Sequence, residues 1–250
     1  MDGYVIGGWT QNLTTTAPAS FSQAIYGMVT NLQELKTGVP GGYGWSPVNT
    51  APPAQLSPAT QVRWTYGGAG CTPYGMPGTD TDVTAIVTAG AMWAGVDVDD
   101  ECAMNTAYIA TLLPALKQAG KTTSYTFIAG WAYNNPEASA EGAATNAAVQ
   151  QLAATGACDH FILMCYGGEM WSMQDIVGNV GPAIERTVKH VGDPKRVILA
   201  LTPTGLTAEN RDYFLKQVTS HGIGGLFVWE WPRLSVTDLQ TIEATLGIGS

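Results

Sequence analysis

The run GVDVDDE, from Gly95 to Glu101, is the most informative stretch of this 250-residue sequence. As a β-strand it places Asp97, Asp99 and Glu101 on one face and two valines on the other, because strand side chains alternate. Successive acids would lie about 6.6 Å apart along the strand. Buried carboxyl groups are costly unless they are paired or used, whereas the valines suit packing against helices. The stretch predicts a carboxylate ladder, made of these three acids, on the inner face of a strand.

The chemistry expected of the carboxylate ladder is acid catalysis. Asp97 and Asp99 lie too close together to ionise independently, so they should share a proton. Glu101 ends the strand on the side where α/β barrels have their active sites, and we expect a proton donor with a raised pKa. A solvated edge strand would not explain two acids alternating with valines. A metal-holding acid pair, as in phosphoryl or nucleotide-sugar transfer, stays open, although no glycine-rich phosphate loop accompanies it.

Short apolar runs alternate with amphipathic stretches on both sides of the ladder. The runs that we interpret as strands are 4–9, 62–66, 95–99, 124–131, 160–166, 196–201 and 225–231. We predict helices over 80–93, 105–119, 139–155, 175–191, 208–220 and 235–246. Strands that alternate with helices of this length indicate a parallel sheet.

An eighth strand would close the sheet into a barrel, and segment 20–36 is the candidate. Its apolar residues have near-helical spacing, which favours a helix, whereas closure of the barrel favours a strand at 24–30. We predict the strand. The expected fold is α/β, a single (β/α)8 TIM barrel over residues 1–250, with the Gly- and Pro-rich residues 38–60 as a long loop on the ligand face.

Composition excludes several classes of function. Only 12% of the residues are charged, about half the usual share, and 11 basic against 20 acidic residues give a net charge of −9. So few cations cannot build the basic face that nucleic acids require. No apolar run reaches the roughly 18 residues of a membrane span. Eight tryptophans and 30 glycines weakly favour a carbohydrate partner, because sugar rings stack on aromatic faces.

The cysteines and histidines lack the spacing of a zinc site. Cys71 and Cys102 follow adjacent predicted strands at the same end, so a disulfide between them is geometrically conceivable. No basic and apolar leader precedes the first strand, so the protein either is made without a signal peptide or begins after one. We expect a secreted monomer.

Four motifs in register resemble glycoside hydrolase family 18, the chitinase family. The carboxylate ladder is similar to the DGxDxDxE signature of the family's fourth strand. Residues 65–68 resemble the SxGG motif of the third strand, and residues 164–166 resemble the Met-x-Tyr of the sixth. Gly224 and Gly225, followed by Trp229, resemble the end of the eighth strand. Residues 4–12 and 21–31 look like the first two strands, so the resemblance covers nearly the whole chain and supports strand two.

The resemblance implies retaining, substrate-assisted hydrolysis of β-1,4-linked N-acetylglucosamine, without a cofactor or metal. Glu101 would protonate the glycosidic oxygen while the acetamido oxygen of the substrate attacks the anomeric carbon. Asp99 would orient the acetamido group and share a proton with Asp97. Tyr166 would bind the acetamido oxygen, and Trp229 would stack under the sugar. The resemblance assigns Glu101, Asp99, Asp97 and Tyr166 to catalysis and Trp229, Met164, Tyr66, Gly67 and Gly68 to substrate binding.

The sequence departs from the family pattern at three positions. Ala94 replaces the first acid of the signature, Asp100 replaces the usual tryptophan, and Gly167 stands where an acid often follows the tyrosine. The resulting Asp-Asp-Glu is similar to bacterial endo-β-N-acetylglucosaminidases of the family. Two substrates therefore stay open, chitin with its oligosaccharides and the chitobiose core of N-glycans.

The connection after the seventh strand bears on how the substrate is cut. No α+β insertion of the kind that walls deep, exo-acting clefts fits between Leu201 and Phe214. The barrel should therefore have a shallow, open cleft and cut within chains. A chitinase-like lectin without activity is the remaining alternative, and the presence of Glu101 argues against it, because inactive members commonly lose this acid.

Overall fold

The structure is a computed structural model and describes residues 3–29, 32–37, 51–69, 71, 80–129 and 139–248. Eight parallel strands close into a barrel in chain order. The strands are β1 Val5–Thr10, β2 Gln23–Val29, β3 Gln61–Gly67, β4 Gly95–Asp100, β5 Thr122–Ile128, β6 His160–Met164, β7 Val197–Leu201 and β8 Gly225–Trp229. This confirms the predicted (β/α)8 fold.

Helices cover the outside of the barrel. Those within the described residues are α1 Leu32–Thr37, α2 Asp80–Thr88, α3 Thr106–Gln118, α4 Ala140–Ala154, α5 Met173–Val191, α6 Ala208–His221 and α7 Val236–Leu246. Short 3-10 turns lie at Pro194–Arg196 and Trp231–Arg233. In the part of the chain that the structure describes, no helix is both long enough and apolar enough to cross a membrane.

The ambiguous second segment is a strand, as predicted. β2 pairs in parallel with β1 and β3, and α1 begins only after it. Ala24, Ile25 and Tyr26 are all fully buried, although neighbouring side chains in a strand face opposite sides. A strand buried on both faces is a continuous apolar run rather than an alternating one. That is why its sequence pattern resembles a helix.

Several predicted elements end earlier in the structure. β6 stops at Met164 and β8 at Trp229, two residues before their predicted ends, and α2 stops at Thr88 rather than at 93. The last paired residues of β5 and β6 are Ile128 and Met164, so the apolar residues that follow lie beyond the sheet. β5 begins at Thr122, two residues before its predicted start. The end of its predicted range, at 130 and 131, and most of the predicted loop, at 38–50, lie outside the described residues.

The barrel interior is polar on one side and apolar on the other. From the amino end, the inner residues of β3, β4 and β5 form three layers: Arg63, Gly95 and Thr122; then Thr65, Asp97 and Ser124; then Gly67, Asp99 and Thr126. The inner residues of β6, β7 and β8 include Ile162, Ile198 and Phe227, all fully buried. The two aspartates of β4 thus lie among the mainly polar inner residues of β3 and β5, and the apolar inner residues lie on β6, β7 and β8.

Candidate active site

Asp97 lies in the middle polar layer and is completely buried. Trp9 Nε1 donates a hydrogen bond to its Oδ2 at 3.0 Å, and the hydroxyls of Ser124 and Thr126 donate to its Oδ1 at 2.6 and 2.9 Å. Burial raises the pKa of Asp97, and these three hydrogen bonds, with the charge of Arg63, act in the opposite direction. The pKa of Asp97 stays above its usual value, but these contacts hold it below what burial alone would give, since hydrogen bonds to the charged form favour that form.

Asp99, one layer nearer the mouth, has different surroundings. Its side chain is buried, and its Oδ1 has no hydrogen-bond partner. Burial raises the pKa of Asp99 well above its usual value, and the nearby charges of Glu101 and Asp97 raise it further. Of the two aspartates, Asp99 is the one whose environment favours the protonated form. The sharing of one proton by Asp97 and Asp99 stays a prediction. The difference in their surroundings indicates that the shared proton lies on Asp99.

Glu101 directly follows β4 and is exposed at the mouth of the barrel. Packing of the surrounding protein raises the pKa of its carboxyl, the Asp100 charge adds to that rise, and a hydrogen bond from the Ala69 backbone opposes it. A raised pKa keeps a carboxyl group protonated nearer to neutral pH, which a general acid requires. Glu101 is thus the member of the carboxylate ladder that a substrate can reach.

Two restraints hold the turn that carries Glu101. Cys102 forms a disulfide with Cys71, with their Cα atoms 5.8 Å apart, and so ties this turn to the segment after β3. Asp100 accepts hydrogen bonds at 2.8 Å from the Met104 backbone N–H and at 2.8 Å from the Tyr125 hydroxyl. The disulfide that the sequence left open is therefore present. Neither restraint uses the Glu101 side chain.

Tyr166 and Met164 approach the ladder from β6. Met164 ends that strand on its inner side, and Tyr166 follows two residues later, with both side chains buried. Burial raises the pKa of the Tyr166 hydroxyl well above its usual value, and the charges of Asp99 and Glu101 raise it further. The tyrosine hydroxyl thus lies within electrostatic reach of both acids, where it can donate a hydrogen bond to a substrate.

Trp229 ends β8 at the mouth and is half-buried. In the β1–β8 register it lies beside Trp9, whose indole binds Asp97. The hydroxyl of Thr10 donates a hydrogen bond to Glu230, the residue after Trp229. Trp229 therefore lies at the same mouth as Glu101. The neighbouring strand β1 carries Trp9, which binds Asp97.

Gly67 and Gly68 let β3 approach β4 closely beside Asp99. A Cβ at Gly67 would lie 2.2 Å from the Asp99 carbonyl oxygen, and both glycines have positive φ, 105° and 86°. The Gly68 N–H donates to that same oxygen at 2.7 Å. Both glycines thus lie beside the carboxylate ladder, where they let the backbone of β3 pack closely against that of β4. Their role in substrate binding stays a prediction.

Tyr66 is the predicted site residue that the structure does not bring to the ladder. It is fully buried, and its ring contacts Trp64 edge-on at 6.4 Å between centroids. Trp64 and Tyr66 share the outer face of β3, because the residues between and after them, Thr65 and Gly67, align with Asp97 and Asp99. The side chain of Tyr66 therefore lies on the side of β3 that faces away from the mouth, where it does not touch a ligand. This position does not support the predicted role of Tyr66 in substrate binding.

Comparison with known proteins places this geometry in context. No model of a known protein family matches the sequence, and no curated protein matches it. A GH18 chitinase from Pseudoalteromonas aurantia matches the structure with a TM-score of 0.65 and 12% identity, over 96% of this chain and 99% of that one. A putative chitinase A from Streptomyces coelicolor matches with a TM-score of 0.64 and 12% identity, over 99% of each chain. This chain has their fold.

A third match differs in its described activity. It is a spore cortex-lytic enzyme from Bacillus megaterium, with a TM-score of 0.65, 8% identity, and coverage of 97% of this chain and 73% of that one. At such identities the likeness concerns the fold, and one fold serves many chemistries. The activity of this chain therefore has to be argued from its own site.

The side chains that hold Asp97 were not among the residues predicted from the sequence. Ser124 and Thr126 alternate with Tyr125 and Phe127 along β5, and this period-two pattern of polar and aromatic residues is a signal that was available. Trp9 gave no comparable signal, because its contact with Asp97 spans 88 positions in the sequence. These residues act through Asp97 and are not placed to touch a substrate.

Proposed function

We propose that the protein hydrolyses β-1,4-linked N-acetylglucosamine polymers within the chain, with retention, by substrate-assisted catalysis. The observation that carries this proposal is the graded carboxylate ladder. Asp97 is buried and hydrogen-bonded, Asp99 is buried with an oxygen that lacks a partner, and Glu101 is exposed with a raised pKa. Only the outermost acid is accessible, which suits a single proton donor better than a donor and a nucleophile.

The proposed reaction uses each member of the ladder differently. Glu101 donates its proton to the glycosidic oxygen, and the acetamido oxygen of the substrate attacks the anomeric carbon as the bond breaks. Asp99, once the shared proton has passed to Asp97, faces the positively charged ring as a carboxylate, and Tyr166 donates to the acetamido oxygen. Glu101, now ionised, then takes a proton from the water that opens the ring. The depth of Asp97 and Asp99 favours this route, because Asp97 is fully buried and Asp99 lies one layer below Glu101, where it suits contact with the acetamido group better than attack on the anomeric carbon.

The N-glycan chitobiose core is the second candidate substrate. Asp100 supports it, since this residue gives the Asp-Asp-Glu pattern and lies beside Glu101 in a restrained turn. The resemblance of the fold to chitinases supports chitin. We also propose that the protein is secreted and monomeric; the Cys71–Cys102 disulfide supports secretion, because such bonds persist in oxidising compartments.

A panel of tetrasaccharides tests the proposed function. We expect N-acetylchitotetraose to be cut internally to disaccharides with β configuration at the new reducing end. Cellotetraose and the fully deacetylated tetramer should be essentially uncut, because they lack the acetamido nucleophile. Product anomers are read by NMR immediately after cleavage. Comparable cleavage of cellotetraose, or α products, would contradict the mechanism.

A high-mannose glycoprotein incubated in parallel separates the two substrates. A gel shift of this glycoprotein, with the chitotetraose left intact, would replace chitin by the N-glycan core as the substrate. Cleavage of the tetramer with no gel shift is the expected result. Binding of the tetramer without cleavage of either substrate would identify the protein as a lectin.

The pH dependence of Asp100→Asn tests the assignment of Glu101 as the acid. An acid works in its protonated form, so activity falls as the pH rises through the pKa of Glu101. The charge of Asp100 raises that pKa, so its removal should move the alkaline decline to lower pH. The measurement is kcat/KM for chitotetraose against pH.

The matched control for this variant is Asp193→Asn, an exposed aspartate that also accepts a backbone hydrogen bond, from Lys195. It precedes β7, at the end of the barrel opposite Glu101. Its pH profile should coincide with that of the wild type. An alkaline limb that stays in place in folded Asp100→Asn would contradict the role of Glu101.

A further inference from the structure

Arg63 is a buried cation inside the barrel, one layer below Asp97. Within the eight strands that the structure describes, the acids are Asp97, Asp99 and Asp100, all on β4, and Arg63 on β3 is the one lysine or arginine. Asp100 faces away from the interior, because neighbouring side chains of a strand alternate. Arg63 therefore shares the barrel interior with the two aspartates of the carboxylate ladder. The proposed reaction, as described so far, assigns it no role.

The hydrogen bonds of Arg63 are made with uncharged groups. The residue is 1% exposed, its Nε donates to the Thr122 hydroxyl at 3.0 Å, and its Nη2 approaches Gln61 at 3.5 Å. To reach Thr122 on β5, the side chain crosses Gly95, the inner residue of β4 in the layer directly below Asp97. A Cβ at Gly95 would collide with Thr122. Because Gly95 has no side chain, β4 places nothing between the layer of Arg63 and Asp97.

The other titratable groups around Arg63 come from β6 and from the segment before it. Lys117 holds both oxygens of Asp159, at 2.8 and 3.1 Å, so this acid has its own counter-ion. Burial lowers the pKa of His160 to about 4, so its ring is neutral at pH 7. Burial raises the pKa of the Cys158 thiol, which is therefore neutral as well. The negative charge that remains for Arg63 is that of the carboxylate ladder.

Asp97 needs this charge because its direct partners are neutral. It is completely buried, and its hydrogen bonds come from an indole and two hydroxyls. The charge of Arg63 lowers the pKa of Asp97 against the effect of burial. The other titratable groups near Asp97 are Asp99 in the layer above, the Tyr166 hydroxyl and the Cys158 thiol; burial raises the pKa of the last two, so neither is charged. A buried carboxylate without a nearby cation takes up a proton.

We propose that Arg63 is a positioning residue of the active site, whose charge keeps the buried aspartate pair, Asp97 and Asp99, at one proton rather than two. The inference rests on the proposed function, because a pair with two protons leaves Asp99 unable to face the cyclic intermediate as a carboxylate. Arg63 acts through Asp97 and touches no substrate, since it lies two layers below Asp99. It supplies a fixed charge, because a guanidinium stays protonated at every pH at which the enzyme is folded.

The pH profile of Arg63→Met tests this role. Removal of a cation raises the pKa of a nearby acid, so the second proton enters the aspartate pair at higher pH. The acid limb of kcat/KM for chitotetraose should therefore move to higher pH. For charges one layer apart, about 6.6 Å, at an effective dielectric constant of about 20, the expected shift is roughly one to two pH units. The alkaline limb, which Glu101 sets at the mouth, should stay in place.

Two further variants separate the charge of Arg63 from its packing. Arg63→Lys keeps the cation and should hold the acid limb near that of the wild type. Lys195→Met removes an exposed cation just before β7, at the same end of the barrel, and solvent screens that charge, so its profile should coincide with the wild type. A purely structural role of Arg63 would lower activity by the same factor at every pH.

Thermal unfolding measures the coupling without any assay of activity. Asp97→Asn removes the anion and leaves the charge of Arg63 buried, and each single variant should lower the midpoint by roughly 5–15 °C. Asp97→Asn combined with Arg63→Met should unfold above Asp97→Asn, because the uncompensated cation is gone. Lys195→Met in the same background should give no such recovery. The double variant keeps the test decisive if Arg63→Met alone does not fold.

The results that would overturn the proposal are specific. An acid limb that stays in place in folded Arg63→Met, or that moves equally in Arg63→Lys, would show that the charge of Arg63 does not set the protonation of the aspartate pair. Midpoint losses that add in the double variant would show that Arg63 and Asp97 are not coupled. If the protein cuts no substrate, the proposed function fails, and the midpoints alone then decide whether the two residues are coupled.

Discussion

Glu101→Gln is expected to abolish hydrolysis of chitotetraose while the folded barrel and its affinity for the sugar stay intact. The amide has the shape of the carboxyl group but cannot donate a proton to the leaving oxygen, and general acid catalysis alone contributes about 10²–10⁴-fold. The fold should survive because the turn is held by the Cys71–Cys102 disulfide and by Asp100, not by the side chain of Glu101. The measurements are kcat, the thermal midpoint and the dissociation constant of uncut tetramer.

Glu141→Gln is the matched control for this loss. Glu141 is an exposed acid in the first turn of α4, and it lines the same cavity of about 490 Å³ as Glu101. If Glu101 acts by proton donation rather than by its charge at the mouth, the control should keep wild-type turnover. Turnover near that of the wild type in folded Glu101→Gln would reject Glu101 as the acid.

The fold could be predicted because its pattern is local. Apolar runs of strand length alternated with helical segments, and the capping residues of α5, α6 and α7 stand in the sequence at Ser172, Thr207 and Ser235. The second strand could not be separated from a helix by pattern, because both faces of β2 are buried. The last residue of a strand could not be predicted either, because apolar residues such as Tyr166 follow the last paired residue and line the mouth of the barrel.

The candidate site was predictable as far as it lies on one strand. Alternation alone placed Asp97 and Asp99 on the inner face of β4, and both are buried there. The groups that distinguish their pKa values come from β1 and β5, whose register against β4 no local pattern gives. Tyr66 shows the converse. A motif match selected it, whereas the alternation of β3 places its side chain outside the barrel.

Asp99→Ala is expected to reduce kcat by about 10²–10³-fold, the usual loss when one preorganised stabilising group is removed from an active site. In the proposed mechanism Asp99 holds the acetamido group and faces the charge of the intermediate, so kcat should fall more than KM rises. Its carboxyl oxygen that lacks a partner is the atom expected to bind the acetamido N–H. Asp99→Asn should lie between wild type and Asp99→Ala, since its amide oxygen still accepts a hydrogen bond but carries no charge.

A thiazoline analogue of the cyclic intermediate separates this role from a structural one. Wild type should be inhibited competitively, because the analogue resembles the charged intermediate that Asp99 stabilises in the proposed mechanism. Both Asp99 variants should bind the analogue more weakly, whereas Asp193→Asn, at the far end of the barrel, should bind it as wild type does. Unchanged inhibition of folded Asp99→Ala would remove Asp99 from the mechanism. A sugar trapped covalently on Asp99 would make this carboxyl the nucleophile instead, and the acetamido group would then be a recognition element alone.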